Sequence, residues 1–142
     1  MKILLPILLL TLSSSALAEE SVIDKELKQC KINPNTVSDM AIVNCYTTAA
    51  KSWDKVLNDE YKSLISDTEL SKAFKDSLKK SQLAWIKYRD LNIDTINRFY
   101  DNEHGSYWQI VSTENKMNIT KNKAIELHKL HISNDPSVKP ED

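Results

Sequence analysis

Between Leu70 and Phe99, apolar or small residues recur at Leu70, Phe74, Leu78, Ser81, Trp85, Tyr88, Asn92, Ile96 and Phe99, in steps of three or four. This spacing lays them along one stripe of an α-helix, and no strand can place them on one face because its side chains alternate with a period of two. The pattern predicts helix from Thr68 to Asn102, roughly 50 Å long at about 1.5 Å per residue. That is either one outsized helix or two with a bend between them. At its centre lies Gln82-Leu83-Ala84-Trp85-Ile86-Lys87-Tyr88-Arg89-Asp90, the densest cluster of aromatic and hydrogen-bonding side chains in the chain.

The remainder follows the same period. With a single glycine and four prolines in 142 residues, the chain lacks the turn chemistry of an all-β fold. An all-α class is expected: an antiparallel hairpin of two long helices plus one or two shorter C-terminal helices, in one domain spanning 19–132. Thr36 and Asp39 form a capping-box-like start for the first long helix. Its stripe runs Val37, Met40, Ala41, Asn44, Ala50, Trp53, Leu57, Tyr61 and Leu64. Ser66, Asp67 or Thr68 can cap the next helix. So short a connection makes the two helices antiparallel neighbours and pairs Trp53 and Leu57 with the region of Leu78 to Trp85. The only glycine, Gly105, ends Asp101-Asn102-Glu103-His104-Gly105 and marks a turn. Ser106 is then expected to cap a third helix running to Met117, and Thr120 a fourth through Ala124, Leu127 and Leu130. Residues 19–35 read as an arm ending in the turn Ile32-Asn33-Pro34-Asn35, and 133–142 as a loose tail.

Export is expected from the first eighteen residues, where Lys2, the apolar run Ile3 to Leu12 and Ala16-Leu17-Ala18 form the three parts of a secretory signal peptide. The apolar run is too short to span a bilayer, so no membrane span is expected after cleavage, and the location is periplasmic or secreted. Without residues 1–18 the chain has 18 basic against 20 acidic side chains, a formal charge of −2. That balance argues against nucleic acid as a partner. In an exported chain the two cysteines, Cys30 and Cys45, are expected to pair, and closing a loop of this length contributes about 3 kcal/mol.

Reactive groups are sparse. His128 and His131 lie three apart and could share a metal ion, but a transition-metal site needs three or four ligands, so no metal or other cofactor is expected. A single glycine excludes the Gly-x-Ser-x-Gly elbow and phosphate-cradling loops. Asp54, Asp59, Glu60, Asp67, Glu69, Asp90 and Asp94 fall mainly on the polar faces of predicted helices, outside any glycine-rich or aromatic loop that would bury them, and read as solvated helix charges. A binding protein rather than an enzyme is therefore expected. Gln82, Trp85 and Arg89 share one helix face, at i, i+3 and i+7. The cluster reads first as a structural knot between helices, and second as a partner-binding surface, since Trp, Tyr and Arg dominate interface hot spots.

Taken in order, Cys30 with Cys45, then Asp54-x-x-Leu57-Asn58-x-x-Tyr61, then Gln82-x-x-Trp85-x-x-Tyr88-Arg89-Asp90, then Gly105-Ser106 and finally Ile119-Thr120 with Glu126-Leu127, the chain resembles the LprI-like lysozyme inhibitor family. The resemblance covers Cys30 to about Leu130 and is most specific in the two central motifs. It implies a small, exported, helical protein whose partner is a protein, a lysozyme-like hydrolase; a non-catalytic envelope scaffold is the alternative. Family members carry a second cysteine pair, which here is replaced at Asn92 and absent from Asn115 to Met117. An inhibitor needs an element that enters a cleft, and His104, Tyr107 and Trp108 beside Gly105 are the candidate partner contacts.

Overall fold

The computed structural model describes residues 20–134; the expected signal peptide and residues 135–142 lie outside the described residues. Four helices carry the chain: α1 (Val22–Ile32), α2 (Asp39–Ser66), α3 (Lys72–Tyr100) and α4 (Ser106–Asn134), with no strand among the described residues. The all-α class expected from composition and period is the observed one.

The starts of α1, α2 and α3 each follow from a local hydrogen bond. Ser21, Ser38 and Ser71 hold extended backbone and accept from the amides of Asp24, Ala41 and Phe74, satisfying donors that have no partner inside the helix. The caps differ from those expected. Thr36 instead donates its hydroxyl to the Cys30 carbonyl at 2.7 Å, closing off the end of α1. Asp67 closes the α2–α3 connection by accepting from the Glu69 amide at 2.8 Å, which moves the start of α3 to Ser71.

Long-range pairs give the register. Asp39 meets Ser106, Glu60 meets His128 and His131, and Asp67 meets Asn134. The near-constant sequence offset means that α2 and α4 lie side by side and parallel along their whole length, while α3 runs back between their opposite ends. The core is built from Tyr46, Ala49, Trp53, Leu57 and Leu64 of α2, Met117, Ala124 and Leu127 of α4, and Leu78 alone from α3.

Here the hairpin reading is corrected. Trp53 and Leu57 join a core made chiefly by α2 and α4; α2 and α3, although consecutive, barely touch. The reason lies in side-chain size. The buried residues of α4 include the small Ser112, Thr120 and Ala124, which lets α2 and α4 approach closely. The inner face of α3, with Phe74, Trp85 and Arg89, is bulkier and only partly covered. The two short C-terminal helices are one: α4 passes through Thr120 without a break and continues through Ser133 and Asn134, where the tail was expected to begin. Of the stripe read for α2, Val37 precedes the helix and is exposed, as is Met40, and the buried residues begin at Cys45. The expected arm is helical from Val22 to Ile32. Cys30 bridges Cys45 with Cα atoms 5.8 Å apart, and Lys121 of α4 pairs with Asp24 at 2.7 Å, so α1 is held against both α2 and α4.

Candidate functional site

The central motifs fall on different helices and do not converge. Asp54 and Asn58 are exposed and bond each other along α2, Asn58 donating to the Asp54 carbonyl at 2.8 Å. Leu57 is buried and Tyr61 packs against the core. On α3, Gln82 is buried, with its Oε1 unpaired among the described residues. Trp85 packs on the core's edge with the Arg89 guanidinium 5.3 Å above its ring, and Arg89 pairs with Asp90 at 2.8 Å. Tyr88 is 56 % exposed and accepts from Asn92. The Gln82–Asp90 cluster is therefore the seam along which α3 leans on the α2–α4 core, and not the centre of that core.

The α3–α4 turn brings more together. Asp101 caps α3 through its amide bond to the Asn97 carbonyl at 2.8 Å, and the Glu103 amide then bonds the Tyr100 carbonyl at 3.0 Å. Gly105 follows at φ +109°, a conformation that residues with a Cβ rarely adopt, and α4 begins at once. The Ser106 hydroxyl donates to Asp39, tying this turn to the start of α2. Aromatic residues on either side of the glycine meet as a result. Phe99 packs edge-on against Tyr100 at 4.9 Å, Tyr100 lies 5.7 Å from Trp108, and Trp108 meets Tyr107 edge-on at 5.2 Å. Asn115 donates to the Tyr100 hydroxyl at 3.3 Å. The outer rings, Phe99 at 66 % and Tyr107 at 63 %, are exposed, while the inner two are half-buried.

Beside this row a cleft of about 650 Å³ opens between the start of α2 and the α3–α4 turn. His104 and Trp108 line it, as do Asp101, Glu103 and Lys116; Tyr107 stands outside. The turn was visible from the only glycine in the chain. Phe99 and Tyr100 were missed as part of the site, though an aromatic pair within six residues on each side of the glycine was the signal.

The far end of the pair is held differently. Glu60 is mostly buried and accepts from Nδ1 of His128 at 2.8 Å and of His131 at 2.6 Å, cross-linking α2 to α4. These histidines therefore serve a carboxylate, and among the described residues no set of three or more side chains is arranged to hold a metal ion. Displaced carboxylate acidities occur on open helix faces: hydrogen bonds from Lys55 and Lys72, one turn earlier, hold Asp59 and Asp76 below the usual range.

Three comparisons with known proteins complete the description. A family model described as "Lysozyme inhibitor LprI" matches residues 30–127, from the bridged Cys30 to the buried Leu127. No curated protein matches. A crystal structure of an uncharacterised protein from Burkholderia thailandensis aligns with a TM-score of 0.75 at 17 % identity, covering 80 % of this chain and 55 % of that one. This likeness shows the fold alone, and the chain spans only a little over half the length of that protein.

Proposed function

The chain belongs to the lysozyme inhibitor LprI family, and from that premise we propose that it is an exported protein that binds a lysozyme-type peptidoglycan hydrolase and blocks it. The family match over residues 30–127 carries this reading. The structure supports it by supplying a surface of the right kind. Phe99 and Tyr107 expose their rings on a turn braced from behind by Tyr100 and Trp108. Exposed aromatics on a rigid backing make strong interface anchors, because little side-chain entropy is lost when they are covered. Asp101 and Glu103 beside them favour encounter with a basic partner. No helix among the described residues is long and apolar enough to cross a membrane.

A turbidity assay tests the proposal. Purified protein beginning at Glu19, in molar excess, is expected to slow the clearing of a peptidoglycan suspension by host-type or bacterial lysozymes. Unchanged clearing with both kinds would overturn it. The scaffold alternative draws on a different surface, since Leu83 and Leu91 are exposed on α3 well away from the turn. It predicts a partner whose binding is lost on Leu83→Ala with Leu91→Ala and unaffected by changes at Tyr107.

A further inference from the structure

The cleft beside the aromatic row has a chemistry that the proposed inhibition does not use. Its volume of about 650 Å³ lies within the roughly 300–1,000 Å³ of small-ligand pockets. Two rings, Tyr100 and Trp108, tilted 30° to each other, form one side. The side-chain amides of Asn97 and Gln109 line it, and neither has a hydrogen-bond partner among the described residues. Ser112 adds a hydroxyl from the buried face of α4.

Charge and polarity narrow the ligand. A phosphate or nucleotide needs several converging cations, and here Lys116 is opposed by Asp101 and Glu103. A lipid or other apolar ligand needs an apolar wall, and beyond the two rings only Val43 supplies one. What fits is a molecule with an apolar face for the rings and many hydroxyl and amide groups for the remaining sides. We propose that this cleft binds a saccharide bearing N-acetylated amino sugars, with sugar carbons against Trp108 and Tyr100 and acetamido groups meeting the free amides of Asn97 and Gln109. A carboxamide presents a donor and an acceptor on separate atoms of a planar group, and an acetamido group likewise offers a fixed N–H and a fixed C=O, whereas a hydroxyl offers both from one rotating oxygen. The site shares the α3–α4 turn with the proposed hydrolase contact and requires no hydrolase.

The test is an amide-resonance titration of the protein from Glu19 onward, a span that contains all four helices, with the trimer of N-acetylglucosamine as probe and maltotriose as comparator. Saturable shifts in the millimolar range, confined to residues lining the cleft and absent with maltotriose, are expected. Trp108→Ala should weaken binding about tenfold. Because Trp108 also supports the turn, Gln109→Ala and Asn97→Ala, both at exposed positions, provide the second check: each should weaken binding several-fold at unchanged melting temperature. Absence of shifts at saturating probe, or equal shifts with maltotriose, overturns the proposal. A protein that slows lysozyme yet ignores the trimer contradicts this site and leaves the inhibitor reading standing. Specific trimer binding without any slowing of lysozyme supports the site and contradicts the inhibitor reading.

Discussion

Gly105 is where a single residue decides most about the site. At φ +109° a Cβ meets nothing within 4 Å, so Gly105→Ala would suffer from backbone strain and not from crowding. Strain of this kind costs on the order of 1–3 kcal/mol. We expect Gly105→Ala to lower the melting temperature and to reduce hydrolase binding with it, because the turn aligns Phe99 and Tyr100 with Tyr107 and Trp108; an unchanged melting curve would show that the turn relaxes freely. Glu60 is the matching residue at the other end. It is 16 % exposed and receives two histidine donors, and hydrogen bonds to a charged group contribute about 1.5–3 kcal/mol. Glu60→Ala, followed by chemical denaturation, should lose a sum in that range while leaving the turn and its binding intact. Arg89 has a smaller role, since its guanidinium covers Trp85 and reaches an exposed neighbour, Asp90; Arg89→Ala should cost about 1 kcal/mol or less.

Among the helices, α3 was the most legible in sequence and α4 the least, for one physical reason. The α3 stripe is written in large apolar residues at the helical period: Phe74, Leu78 and Trp85, with Leu70 just before the helix, pack on or within the core, while Tyr88 and Phe99 of the same stripe are exposed. The buried face of α4 includes Ser112, Thr120, Lys123 and Ala124, which carry little apolar signal. Burial there comes from close approach of two backbones, a property of the pair that neither segment displays alone. For the same reason a parallel partnership between α2 and α4 could not be read, since short connections point only to the next helix. α1 was missed because just Ile23 and Leu27 contribute to the core from it. The site was half legible: the glycine and Tyr107-Trp108 marked the turn, whereas the convergence of Phe99 and Tyr100 on it depends on where α3 ends. Two expectations follow at this scale. Leu127→Ala, at a fully buried position on the α2–α4 seam, should cost about 2–5 kcal/mol, against under about 0.5 kcal/mol for the exposed Leu83→Ala. Reducing the Cys30–Cys45 bridge should remove about 3 kcal/mol and speed amide exchange first in α1, with α4 protected longest.

The whole molecule is a parallel α2–α4 core with α1 stapled to one side and α3 leaning across it, and this division separates stability from contact. Most buried side chains belong to α2 and α4, with only Leu78 and Gln82 from α3, while the exposed rings of Phe99 and Tyr107 gather at the α3–α4 turn, so the turn can be altered without unfolding the protein. That separation makes the central claim, that the turn is the surface by which this LprI-family protein engages a hydrolase, directly measurable. Calorimetric titration of a lysozyme with the wild-type protein and with a Phe99→Ala, Tyr107→Ala double variant is the test. Truncated hot-spot aromatics cost about 2 kcal/mol or more each, roughly thirtyfold in affinity. We predict saturable binding by the wild type, and its loss in the double variant at an unchanged melting temperature. A well-folded double variant that binds the hydrolase as tightly as the wild type would contradict the account.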